Sequence, residues 1–238
     1  MLLSNNLYGL SDSPYIPEFD AFHCKNMYFR QLGGPGWSIK FGRRDSTTVN
    51  FAAANSGVIP PPITTLSNLI NRLKAQRLST RDMVALSGAH TIGRAQCVTF
   101  RNCIYNESNI DNSSAILRRK SCPAANGSKG NKEANLDVRT PYRFDHSYFM
   151  QFVNHRGLLT SDQVLFNGGS TDSIVISYSW SVQAFYRDFV TAMIKNARHQ
   201  PTHRIQWADP APLSQAQQLK ESKRVCRVDK DIPIIGFA

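Results

Sequence analysis

The 238-residue chain is 41% hydrophobic and 19% charged, a balance that excludes intrinsic disorder and supplies the apolar side chains of a sizeable core. Twenty-eight Lys and Arg against seventeen Asp and Glu leave a net charge of +11, which favours polyanionic surroundings without choosing among nucleic acid, acidic polysaccharide and anionic headgroups. No apolar run of about 18 residues and no signal-peptide pattern occurs, so the sequence reads as neither membrane-spanning nor carrying a leader.

Met1 to Leu32 has no clean period and reads as loop with one short helix at most. Gly33-Gly34-Pro35-Gly36 punctuates the chain, the alternation in Trp37-Ser38-Ile39-Lys40-Phe41 predicts a short strand, and Gly42-Arg43-Arg44-Asp45 reads as a turn. Ile59-Pro60-Pro61-Pro62 is extended. From Ile63, apolar residues at Leu66, Leu69, Ile70 and Leu73 recur at three- and four-residue steps and predict a helix with one buried stripe. Ser79-Thr80-Arg81-Asp82 has the form of a capping box and opens a second helix through Met83, Val84 and Leu86 toward Gly88. Residues 100–135, rich in Asn and Ser, read as polar loop. Phe144 to Phe152 and Ile174 to Ala197 read as helices, the latter with Tyr178, Val182, Phe185, Phe189 and Met193 on one stripe. The last stretch, Lys195 to Ala238, sets eight Lys and Arg against four Asp and Glu.

Cys24, Cys97, Cys103, Cys122 and Cys226 are scattered and form no C-x-x-C pair, which argues against structural zinc. Three glycosylation sequons, at Asn106, Asn112 and Asn126, fall close together and favour an oxidising secretory compartment, although the odd cysteine count leaves one thiol free or paired outside the chain. His199 and His203 have metal-ligand spacing, but Pro201 between them breaks the helix that would align their rings, so they read as a surface pair. Nucleic-acid binding rests on charge alone, with no zinc, helix-turn-helix or aromatic RNA motif to support it.

His90 follows an apolar helix and a glycine, so its ring is presented from the end of a rigid element, where it can ligate a metal or haem iron. The segment Asp82-Met83-Val84-Ala85-Leu86-Ser87-Gly88-Ala89-His90-Thr91-Ile92-Gly93 closely resembles the proximal haem-ligand motif of the plant secretory (class III) haem peroxidases. Gly42-Arg43-Arg44-Asp45-Ser46, Leu136-Asp137-Val138-Arg139-Thr140-Pro141 with Phe144-Asp145, Ser161-Asp162-Gln163-Val164-Leu165-Phe166 and Gly168-Gly169-Ser170-Thr171-Asp172 are similar to further segments of that family, in the same order. The resemblance covers residues 33–197, between a divergent N-terminal segment, 1–32, and a divergent basic C-terminal segment, 198–238.

The resemblance implies a mainly α, haem peroxidase-like helical fold in truncated form. It further implies haem b held by His90 as axial ligand, with Asp162 accepting the ring's other N–H and so raising imidazole basicity. Thr91, Asp137, Thr140, the carbonyl of Arg143 and Asp145 correspond to calcium ligands, hard oxygens that suit Ca²⁺. Pro60 corresponds to a substrate contact, and Cys97 with Cys122 to a disulfide. Cys24 and Cys226 are candidates for another pair, and Cys103 has no counterpart. The family's activity is oxidation of phenolic donors with hydrogen peroxide, in hydrogen peroxide catabolism and the response to oxidative stress, by a secreted or cell-wall, monomeric, disulfide-bonded glycoprotein. The resemblance includes none of the distal catalytic residues: Phe22-His23-Cys24 is only faintly similar, with Phe19 where an arginine belongs. The chain as it stands is therefore expected to turn over peroxide at least about 10²-fold more slowly than a complete enzyme, for want of a distal acid–base group. The alternative is a non-catalytic secreted protein whose basic surface binds cell-wall polyanions.

Overall fold

In this computed structural model, residues 29–38, 60–124 and 132–197 are described. The readings for the first 28 residues, His23 and Cys24 among them, for the 37–41 strand beyond Ser38, for the Gly42-Arg43-Arg44-Asp45-Ser46 segment, and for Cys226, Asn126 and the His199/His203 pair lie outside them; Trp37 and Ser38 themselves are not in a strand. The described chain is dominated by helices, and none of them is long and apolar enough to cross a membrane.

After Pro60–Pro62, which belong to no helix or strand and end in a bend at Pro62, α1 spans Leu66–Ala75, later than its apolar pattern begins because the Thr65 side chain caps it by accepting from the Asn68 N–H at 3.3 Å. Ile63 accordingly lies outside the helix and is exposed, while Leu69 and Leu73 are buried. The capping box at Ser79 forms as expected: its hydroxyl accepts from the Asp82 N–H at 3.1 Å, and the Asp82 carboxylate accepts from the Ser79 N–H at 2.9 Å. Helix α2 follows over Thr80–Ser87 and tightens into a 3₁₀ turn, Gly88–Thr91.

Residues 100–135, expected as loop, contain regular structure. Strand β1 (Arg94–Gln96) leads into α3 (Cys97–Asn106), α4 covers Asn112–Arg119, and β2 (Glu133–Asn135) pairs antiparallel with β1, Ala95 opposite Ala134. The reason is a short stripe, Cys97, Phe100, Cys103 and Ile104, at helical spacing and fully buried between polar neighbours. Asp111 caps α4 by accepting from the Ser114 N–H at 3.0 Å. Cys97 and Cys122 form a disulfide, with Cα atoms 5.4 Å apart, at the centre of a small core with Phe100, Ile104, Leu136 and Leu158. Cys103 is a buried free thiol, pushed up to about 12 by burial and by the Glu107 charge, so it stays protonated and inert. The sequon residues Asn106 and Asn112 are exposed.

Helix α5 spans Ser147–Val153 and a single turn, α6, spans Thr160–Gln163. The expected helix from Phe144 starts three residues late because Phe144 bonds instead to the Leu32 carbonyl, and Asp145 accepts from the Ser147 N–H at 2.8 Å. The expected long helix 174–197 is two: α7 (Asp172–Trp180) and α8 (Val182–Ala197), separated by an extended Ser181. The break leaves Trp180 exposed and lets α8 lie along α2 while α7 lies along α5. These helices close over the main core, where Phe144, Phe149, Tyr178, Phe185 and Phe189 are all fully buried. Their rings meet at centroid distances such as 5.0 Å for Phe149–Phe185 and 4.9 Å for Phe144–Phe189. Each such side chain contributes about 1.5–3 kcal/mol on burial. Lys195 fastens the end of α8 to the start of α2 through two 2.8 Å hydrogen bonds to the Asp82 carboxylate.

Candidate functional site

His90 sits in the 3₁₀ turn after α2 and is 5% exposed. Capping at Ser79 and the apolar residues Met83, Val84 and Ala85 fix the helix against the core, and the turn aims the ring at α6. There His90 Nδ1 lies 2.8 Å from Asp162 Oδ1, a contact between residues 72 apart in sequence. An ionised carboxylate only accepts, so Nδ1 carries a proton and, in the neutral ring, Nε2 holds the lone pair that ligates metals. Asp162 is 2% exposed, so its charge acts on the imidazole with little screening from water. The same Oδ1 accepts a second hydrogen bond, at 2.8 Å, from the hydroxyl of Tyr148 on α5. Burial above all, then the Asp162 charge, pushes the Tyr148 phenol well above its ordinary value and keeps it a neutral donor.

The His90–Asp162 pair borders a cleft whose other walls are Leu69 and Leu73 of α1, Leu78, Met83 and Leu86 around α2, and Asn196 of α8, with Pro60 and Pro61 at its edge. Ser161 also lines it, and its buried Oγ has no hydrogen-bond partner. The Ser161 N–H donates to the Pro62 carbonyl at 2.9 Å, which ties the Pro60–Pro62 segment to α6.

Beside His90 lies a cluster of oxygens. The hydroxyls of Thr91 and Thr140 donate to Asp137 Oδ2 at 3.2 and 3.3 Å, and Thr140 also reaches Asp145 Oδ1 at 3.1 Å. Asp137 Oδ1 accepts from the Arg139 and Thr140 N–H groups at 2.7 and 3.2 Å. The Arg143 side chain is largely exposed, yet its Nε reaches back to 3.7 Å from Asp145 Oδ2 rather than pointing away. Four of the five residues expected as calcium ligands are thus brought within hydrogen-bonding distance of one another. Among the described residues no group of three or more His, Cys, Asp or Glu is placed to hold a metal ion; the cluster offers two carboxylates and neutral oxygens. Sequence reasoning missed Tyr148 and Ser161: Tyr148 reads as one more core aromatic, and the only signal for Ser161 is its adjacency to Asp162.

The mostly helical architecture of the described residues is consistent with the helical fold of the haem peroxidases. A family model described as "Peroxidase" matches residues 24–181. The chain is 76% identical over 164 residues to Peroxidase 67 and 73% identical to Peroxidase 68, both of Arabidopsis thaliana, over 69% of its length and 52% and 50% of theirs. It is 54% identical over 165 residues to the lignin-forming anionic peroxidase of Nicotiana sylvestris, covering 69% of this chain and 50% of that one. The chain belongs to the peroxidase family, among the plant class III members. It spans about half the length of the relatives it matches.

Proposed function

We propose that His90 is the axial ligand of a haem iron, in a peroxidase site for hydrogen peroxide and phenolic donors whose turnover in this chain is at least about 10²-fold below that of a complete enzyme, for want of a distal acid–base group. The observation that carries this reading is the buried His90–Asp162 pair at the wall of an apolar cleft. The residues suit the group on their own chemistry. A haem is a flat and largely apolar macrocycle, for which Leu73, Met83 and Leu86 are fitting neighbours, and its iron takes imidazole nitrogen. Ser161 Oγ, buried in the lining without a hydrogen-bond partner, is a polar atom that a bound group can satisfy.

When bound, haem b supplies the two-electron reaction with peroxide and the single-electron oxidation of donors. The chain's own part is positional and electrostatic. Asp162 accepts the Nδ1 proton of His90, fixes the tautomer and the ring plane, and makes Nε2 a stronger donor to iron, which favours oxidised states of the metal. Thr91, Asp137, Thr140, Asp145 and the Arg143 carbonyl form the proposed calcium site; an ion there braces the residue next to His90. Pro60, at the cleft edge, is the proposed donor contact. The family assignment supports a secreted, disulfide-bonded and glycosylated protein, and the exposed Asn106 and Asn112 are suited to carry glycans.

Reconstitution with haemin tests the proposal. The chain should acquire a Soret band that His90→Ala abolishes, whereas Asp162→Asn should retain haem and raise the iron's reduction potential. An unchanged spectrum in His90→Ala, with loss in His146→Ala instead, would refute the assignment. The net charge of +11 favours a second reading, binding of cell-wall polyanions without catalysis; salt-sensitive retention on immobilised polygalacturonate, by a chain that binds no haem, would establish it.

A further inference from the structure

One carboxylate oxygen, Asp162 Oδ1, is shared by two donors at equal distance: His90 Nδ1 and the Tyr148 hydroxyl, each at 2.8 Å. We propose that Tyr148 is a positioning residue of the iron-ligand pair, drawing part of the Asp162 charge away from His90 and so setting how strongly the imidazole donates to iron. The inference rests on the reading of His90 as haem ligand.

Three observations carry it. First, the hydroxyl has no alternative place to go. Tyr148 is 1% exposed, and its ring is gripped edge-to-face by Phe149 and Phe152, at centroid distances of 5.1 and 4.2 Å. A buried phenol must find an acceptor, and this packing gives it Asp162. Second, the ring stands edge-on to His90, 6.0 Å away at 88°, and the phenol and the imidazole are both on Asp162 Oδ1 in the same structure. Third, the position of Tyr148 along α5 is fixed by the Ser147 N–H bonded to Asp145 Oδ1 at 2.8 Å, which anchors the first turn of that helix. Hydrogen bonds to an anion are charge-assisted and compete for the same density. A second donor on Oδ1 therefore weakens the pull of that oxygen on the Nδ1 proton. Asp162 makes the imidazole more basic, and Tyr148 limits by how much.

The test uses the full chain reconstituted with haemin, compared with Tyr148→Phe, Asp162→Asn, the double variant, and a chain carrying 3-fluorotyrosine at position 148. The readouts are the iron–histidine stretching band of the ferrous form and the ferric/ferrous midpoint potential. Tyr148→Phe should raise the stretching frequency and lower the potential, opposite in sign to Asp162→Asn, and should lose most of its effect in the Asp162→Asn background. 3-Fluorotyrosine keeps the shape of the ring and is a stronger donor, so it should shift both readouts the other way; it also serves if Tyr148→Phe does not fold. Unchanged band and potential in both tyrosine variants, or shifts of the same sign as Asp162→Asn, would overturn the inference. A parent chain with no iron–histidine band, or one whose band survives His90→Ala, would instead overturn the haem-ligand reading and the inference with it.

Discussion

Gly88 ends α2 two residues before His90, and replacing it with alanine isolates the packing that holds the ligand turn. Its backbone is ordinary right-handed helix, φ −60° and ψ −11°, so alanine meets no strain there and gains about 0.4–1 kcal/mol through the unfolded chain. Sterics oppose this. A methyl group at Gly88 would lie 2.7 Å from Phe185 Cζ and 2.9 Å from Phe149 Cζ, whereas carbon atoms pack comfortably at about 3.5–4.0 Å. Neither ring has room to retreat. Phe185 is wedged among Phe144, Phe149 and Phe189, at centroid distances of 5.4, 5.0 and 5.7 Å. Overpacking of this kind costs about 1–3 kcal/mol, and with contacts this short at two rings the upper end applies, leaving a net loss of up to about 2.6 kcal/mol after the backbone gain. Urea unfolding followed by tryptophan fluorescence should show a lower midpoint with an unchanged slope. Phe185→Leu makes room for the methyl, so the double variant should be more stable than the two single losses added together. A Gly88→Ala chain as stable as the parent, or strictly additive losses, would refute the account of the turn as sterically locked.

Two further outcomes follow from the same contacts. Removing the disulfide by Cys97→Ala with Cys122→Ala opens a loop of 25-residue separation and should lower unfolding stability by about 3.5 kcal/mol on the chain-entropy account; equal midpoints in urea for the two forms would contradict it. At Asp82, burial alone would raise the carboxyl, but the Lys195 ammonium and the Ser79 donors overcome it and hold it below its ordinary value. That contribution to stability is present above the unfolded carboxyl value of about 3.9 and is lost as pH falls through the folded one. Thermal melts from pH 6 down to pH 2 should therefore fall more steeply for the parent than for Asp82→Asn, and parallel curves would count against the pairing.

The sequence made α2 and its turn legible because capping box, apolar stripe and terminal glycine all agree there. It did not make α3 legible: Phe100, Cys103 and Ile104 lie among Asn, Arg and Thr, and a stripe of so few residues is outweighed by local polarity. The break at Ser181 was hidden for a different reason, since the apolar residues of α7 and α8 stay nearly in phase across it. In the site, His90 announced itself by position, but its pairing with Asp162 spans 72 residues and no local pattern encodes such a contact; only the family resemblance joined them. Tyr148 carried no mark because the property that matters, one hydroxyl on an oxygen already in use, exists only after α5 and α6 meet.

The short helix that carries Asp162 is stitched into the molecule from many directions. Within α6, the Thr160 hydroxyl bonds Glu107 after α3, and the Ser161 N–H bonds Pro62 before α1. Gln163 bonds the carbonyls of Phe152 and Phe166 and accepts from the Gly157 N–H. A single turn of helix has almost no stability of its own, so α6 exists only once these separate stretches have docked, and long-range contacts of that kind are costly to close early in folding. The carboxylate is consequently set against His90 only when these separate stretches are in place together. Amide exchange in α6 should then follow global unfolding rather than local fraying, making these four residues a reporter of whether the whole scaffold has been completed.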